Sequence, residues 1–185
     1  MILDLKYEHT DFIKHILPFI KEGIFIDTSV LKIFLDGYIK IRFSKQKDTS
    51  YHNLIDLFHL LKIEKNFGKL LITPHIFTET CSHLNRDYNK REDYKYIIHE
   101  IIPFLSDLSE HQSIKKNDIL CCVEIKKPII EVGDISIFLS ADNIIKSKQK
   151  TAILVKDSHF SERYASNPNI LIIDFDKTVL DLKQI

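Results

Sequence analysis

Gly23-Ile24-Phe25-Ile26-Asp27-Thr28-Ser29-Val30-Leu31 compresses the plan of the fold into one stretch: a turn residue, three apolar residues, an acid, and the start of a helical spacing. The triplet reads as a short strand stopped by Asp27. From Thr28 onward Val30, Leu31, Phe34, Leu35 and Tyr38 recur on one side of a helix. Upstream, Phe12, Ile13, Ile16, Leu17, Phe19 and Ile20 predict an amphipathic helix over 10–20, closed by Gly23. Downstream, Leu54, Leu57, Phe58 and Leu61 mark a further helix and Leu70-Leu71-Ile72 a second strand. Thr73-Pro74 supplies the cap and first position of a helix reaching about Arg86, and another covers Glu92 to Leu108 with a kink near Pro103.

The last third repeats the theme. Residues 119–125 fit either a strand or a buried helical end, whereas Gly133-Asp134 opens a helix with Ile137, Phe138, Ala141 and Ile145 in register. Ala152 to Val155 and Ile170 to Ile173 read as strands, with a short helical segment between them around His159 to Ala165. Short strands that are apolar throughout must be buried on both faces, and alternation with helices then gives a parallel sheet between helix layers. The expected fold is a three-layer α/β/α sandwich around a mostly parallel sheet. Residues 1–23 form a helical extension packed on a domain of 24–185.

Composition narrows the function classes. A chain of 185 residues with 44% hydrophobic content builds one main core, and 26 basic against 26 acidic residues leave no bulk charge with which to grip nucleic acid. A nucleic acid partner would need a local patch. Gly23, Gly37, Gly68 and Gly133 are too far apart for a dinucleotide fingerprint or a phosphate loop. Cys81, Cys121 and Cys122 are odd in number, which points away from a disulfide framework and toward a reducing cytoplasm. Asp4, Lys6, Glu8 and Asp11 stand where a signal peptide would be apolar, and no uncharged run approaches the ~20 residues of a membrane span.

Four acids stand out. Asp27 and Asp157 follow apolar strands, so parallel strands would bring both to the carboxyl edge of the sheet, where open α/β folds place ligands. Each also precedes Ser or Thr at a helix start, where a cap is the ordinary reading of either acid taken alone. Glu79 lies inside its helix on a stripe with His75, His83 and Arg86, opposite an apolar stripe of Phe77, Cys81 and Leu84; such a stripe ordinarily faces solvent. Asp134 heads the inward side of its helix, where a carboxylate needs a counter-charge or a proton, although it too fits a cap.

The order strand-Asp, helix-Glu, helix-Asp, strand-Asp resembles the PIN-domain nucleases. The likeness rests on Ile24-Phe25-Ile26-Asp27-Thr28-Ser29, Thr73-Pro74-His75-Ile76-Phe77-Thr78-Glu79, Gly133-Asp134-Ile135-Ser136-Ile137-Phe138-Leu139-Ser140-Ala141 and Ile153-Leu154-Val155-Lys156-Asp157-Ser158-His159-Phe160. It implies a metal-dependent endoribonuclease, of a kind that includes VapC-type toxins. Asp27, Glu79, Asp134 and Asp157 would be catalytic and bind Mg²⁺ or Mn²⁺, with Thr28 and Ser29 supporting the first acid. RNA would be the substrate, and an antitoxin or inhibitor protein and a homodimer are compatible partners. Clustered carboxylates repel one another and are relieved by cations, and hard oxygen ligands select hard divalent ions. Val155 stands where many members carry a hydroxyl. Lys156, Lys148 and His159 are the candidate RNA contacts, with Tyr51 available for stacking.

Three other readings stay open: a PIN-like module that binds RNA or protein without cutting, a phosphatase built on Asp174-Phe175-Asp176-Lys177-Thr178, and a transition-metal site from His75, Glu79 and His83. The second has only seven residues after Thr178 in which to place its remaining motifs (185 − 178). The third matches no tight His or Cys pairing.

Overall fold

A computed structural model describes residues 9–111, 114, 115, 117–119, 121, 132–156 and 167–182. Helix α1 (His9–Ile20) leads into strand β1 (Ile24–Ile26), followed by α2 (Thr28–Ser44) and α3 (Thr49–Leu60). Strand β2 (Leu70–Ile72) precedes α4 (Pro74–Tyr88), α5 (Tyr94–Asp107) and the two-residue β3 (Ser109–Glu110). Helix α6 (Val132–Lys146), strands β4 (Thr151–Val155) and β5 (Ile170–Asp174), and α7 (Phe175–Leu182) follow among the described residues.

Every strand pairing is parallel, and the sheet runs β3-β2-β1-β4-β5. Ile24 lies opposite Leu70 on one side and Ala152 on the other, which makes β1 the middle strand. Its residues are fully buried, as are nearly all of β4 and β5, because helices cover both faces. The α/β/α layering expected from the apolar triplets is therefore the observed architecture. Ile16 and Phe19 of α1 join the same core, against β4 and β5.

Local chemistry fixes the joints. Gly23 has φ 127°, and a Cβ there would come within 2.7 Å of the Leu71 side chain and 2.9 Å of the Lys69 carbonyl oxygen, so glycine alone fits between α1 and the sheet. Asp27 caps α2 by accepting from the Ser29 N–H, and Thr73 caps α4 by accepting from Ile76 N–H with Pro74 at the first position. Gly37 lets α3 cross α2 closely: a Cβ on it would lie 2.2 Å from Tyr51 Cβ.

Two elements depart from expectation. Strand β3 has no apolar pattern to announce it, since it consists of half-buried Ser109 and exposed Glu110. Helix α7 follows Ile173 and Asp174, where the sequence reading stops at a strand. Phe175, Thr178 and Val179 are buried at helical spacing, and Asp174 accepts from Lys177 N–H at 3.1 Å as a cap. The segment His159 to Ala165 and most of 119–125 lie outside the described residues. Among the described residues, no helix is long and apolar enough to cross a membrane.

Candidate active site

In an open parallel sheet the strand order reverses at one place, and the crevice beyond the carboxyl ends of the strands flanking it is the natural ligand site. Here that place lies between β1 and β4. Asp27 N–H donates to Leu154 O at 3.1 Å, which sets Asp27 at the crevice directly after β1 and beside the end of β4.

Asp27 is only 9% exposed. Burial pushes its carboxyl above the usual range, bonds from Ser29 and the Thr28 backbone pull it back, and the nearby Glu79 carboxylate pushes it up again. The Ser29 hydroxyl and N–H both donate to Asp27 Oδ2. Thr28 Oγ1 donates to Glu79 Oε2 at 2.9 Å across 51 positions of sequence (79 − 28). One helix start thus steadies two acids from different elements.

Glu79 is half-buried rather than fully solvated. The inward side of α4 is Ile76, Thr80 and Leu84, while Phe77 turns outward at 41% exposure, so the apolar stripe read through Phe77, Cys81 and Leu84 is rotated from the true one. Glu79 and Asp87 lie along the side of α4 that faces α2. Lys32 bridges Asp36 and Asp87 at 2.6 Å each, Tyr88 donates to Asp36 at 2.8 Å, and these contacts lock the two helices one to two turns beyond the Thr28–Glu79 bond. Exposed Asp87 is drawn down to about 2 by Arg86 and Lys32.

The α6 start docks onto the same place. A Cβ on Gly133 would lie 3.0 Å from Glu79 Oε2 and 3.1 Å from Ile76 Cδ1, so the missing side chain is what admits Glu79. Ser136 Oγ donates to Gly133 O at 2.6 Å, which leaves Thr73 Oγ1 to donate to Ser136 Oγ at 2.6 Å while it accepts from Ile76 N–H at 3.3 Å. This directed chain of buried hydroxyls joins α4 to α6. Asp134, the next residue after Gly133, stands half-exposed in the first turn of α6 rather than buried on its inward side.

Asp27, Thr28, Ser29 and Glu79 are therefore brought together, and Asp134 follows the glycine that touches Glu79. Asp157 and His159 lie outside the described residues. Among those described, no three His, Cys, Asp or Glu side chains come together as a metal-holding group. Lys156 is exposed directly after β4, at the crevice edge. Lys148 is not near it: it precedes β4 in the chain, so it lies at the amino edge of a parallel strand spanning roughly 16 Å. Its expected place beside the acids is corrected by strand direction alone.

The His75, Glu79 and His83 alternative also changes. His83 Nε2 lies 3.7 Å from Glu79 Oε1, but its Nδ1 must accept from the Arg86 guanidinium at 2.6 Å, since arginine only donates. That places the imidazole proton on Nε2, where a metal would have to bind. Gly133 and Ser136 are legible in the sequence only as parts of a helix start, and His111 gives no signal there. The His111 ring meets Phe25 edge-on at 5.3 Å and its backbone N–H donates to Ile72 O, while burial lowers its pKa. Set against family models, curated proteins and solved structures, the chain finds no match.

Proposed function

We propose that the chain is a metal-dependent endoribonuclease of PIN-like type, cutting RNA phosphodiesters at the crevice beyond β1 and β4. The observation that carries this reading is the Asp27-Thr28-Glu79 arrangement: two carboxyls from separate elements held together at the sheet's switch point, one of them buried with its pKa raised. A caps-only account explains Asp27 but gives no reason for Glu79 to approach it.

The donors fit a hard divalent ion. They are carboxylates and hydroxyls with no sulfur, and the raised Asp27 carboxyl marks a place where added positive charge is stabilising. Asp27 and Glu79 would hold Mg²⁺ or Mn²⁺, with Asp134 and Asp157 as further candidate ligands. A divalent ion in such a setting supplies an activated water and neutralises charge on the phosphate. The chain's own part is positional. Ser29 fixes Asp27 Oδ2 from two sides, Thr28 aims Glu79, and Gly133 leaves room for its carboxylate. Lys156 provides a cation at the mouth.

The test is cleavage of mixed cellular RNA with Mn²⁺ or Mg²⁺, with EDTA, and with Asp27→Asn. Asn retains a good helix cap, so the variant folds while losing the charge. Cutting is expected only with metal, and Asp27→Asn should lower it by about 10³-fold, the scale of losing a principal transition-state-stabilising group. Cutting that survives EDTA, or that the variant performs at full rate, removes the proposal. Binding without cutting would favour a non-catalytic RNA module, and an antitoxin or inhibitor that covers the crevice would be found by co-purification.

A further inference from the structure

The far end of α2 carries a second concentration of charge. Arg42, Lys45 and Lys47 rim a cavity of about 610 Å³ whose wall includes Tyr38, Tyr51 and His52. Lys45 adopts a left-handed conformation with φ 51°, ending α2 and turning the chain so that Lys47 follows at the same rim. The neighbouring acids are already engaged: Asp48 holds Lys40 at 2.8 Å and caps α3, and Glu100 lies 3.9 Å from Arg42 and accepts from Tyr38 at 3.5 Å. With Lys40 included, four cations face two acids, a local excess of two in a chain that is neutral overall.

The rings are held rather than free. Tyr51 packs over Gly37, tilts against Phe34 at 5.6 Å between centroids and meets His52 edge-on at 5.9 Å. Its phenol is pushed up by burial and by Tyr38 beside it. A fixed aromatic wall beneath a rim of long, exposed cations suits a ligand that is planar in one part and anionic in the next. Nucleotide bases and phosphates alternate in that way, and stacking together with charge neutralisation is how single strands are commonly held.

We propose that this cavity is a hold for single-stranded RNA, separate from the acid crevice and loaded independently of it. Helix α2 is 17 residues long, which sets its last turn, where the cavity lies, roughly 25 Å from Asp27 and away from the sheet's carboxyl edge. The proposal rests on the nuclease reading only for its choice of RNA, because the binding itself needs no metal and no Asp27.

The experiment measures binding of a fluorescein-labelled 20-nucleotide single-stranded RNA to the Asp27→Asn chain in EDTA, by anisotropy across a KCl series. Lys45→Ala/Lys47→Ala is expected to weaken binding at least tenfold at low salt and to reduce the log–log salt slope by about 1.4, at ~0.7 for each phosphate no longer neutralised. Tyr51→Leu should weaken binding about tenfold with the slope unchanged, and Tyr51→Phe should restore it. Thermal melting of each variant separates these effects from misfolding. A salt slope unaltered in Lys45→Ala/Lys47→Ala, or no RNA binding at low salt, overturns the assignment. So does AMP binding that the lysine variant loses while RNA binding stays intact, since that would make the ligand a free nucleotide. Full cutting by Asp27→Asn would remove the nuclease reading and leave this measurement valid.

Discussion

The two ends of α2 carry opposite charge in opposite surroundings. At its start Asp27 is buried and crowded by Glu79; at its finish Arg42, Lys45 and Lys47 are exposed to water. Both signs suit the helix dipole, which favours acids at the beginning and bases at the end. Dipole complementarity therefore cannot tell a structural charge from a functional one. Burial can, because an exposed lysine costs the fold almost nothing whereas a buried acid beside another acid opposes folding until a proton or a cation arrives.

That contrast can be broken most forcefully in the middle of the helix. Gly37→Ala places a Cβ 2.2 Å from Tyr51 Cβ, two atoms that no change of rotamer can separate. Overpacking should outweigh the usual helix gain of about 1 kcal/mol and lower stability by about 3 kcal/mol or more, read as a fall of roughly 6–12 °C in Tm. An unchanged Tm would mean that α3 does not seat on α2 as described.

Metal should act next, and at the acid end alone. With Mn²⁺ at about a hundredfold excess over its Kd, the wild-type chain should gain about 2.7 kcal/mol, or roughly 5–10 °C, and Asp27→Asn should gain none. Equal shifts in both chains would place the ion elsewhere. In EDTA the order reverses: Asp27→Asn should melt higher than wild type, since the cost of burying an ionised carboxyl is removed while the cap is kept.

The sign of the pH effect follows from the same carboxyl. Its folded pKa is raised, so its contribution favours the fold below the ordinary carboxylate range and is lost as pH climbs through the raised value. The stability difference between wild type and Asp27→Asn in EDTA should therefore shrink as pH falls into the acid range. A constant difference would show that the carboxyl is not titrating in a buried place. Smallest of all should be Lys45→Ala/Lys47→Ala, with stability within about 0.5 kcal/mol of wild type by chemical denaturation.

What is legible in the sequence follows the same division between burial and exposure. The apolar triplets at 24–26 and 70–72 and the longer runs at 152–155 and 170–173 are readable because a strand buried on both faces must be apolar at every position. Strand β3 is not, because a two-residue ladder at a sheet edge asks nothing of Ser109 and Glu110. Asp27 can be picked out from its place after a strand, but periodicity assigns Glu79 to the solvent side, since it gives a helix face only relative to its neighbours. With Phe77 outside and Thr80 inside, the apolar positions misplace that face. The Gly133 contact and the Thr73-Ser136 link are invisible in sequence since both depend on which helices meet, and Lys148 is misplaced because a loop's edge depends on strand direction.

The pairing of β1 has a consequence for how the protein is made. Residues 24–26 gain their second neighbour only from 152–154, and Asp27 N–H finds its acceptor at Leu154. During synthesis the first acid emerges early and then waits for more than a hundred further residues before its surroundings exist, a long-range closure that slows folding. A ribosome that has not yet added residues 152–154 thus holds a chain whose crevice has only one wall, and whatever chemistry the finished crevice performs is withheld until they emerge.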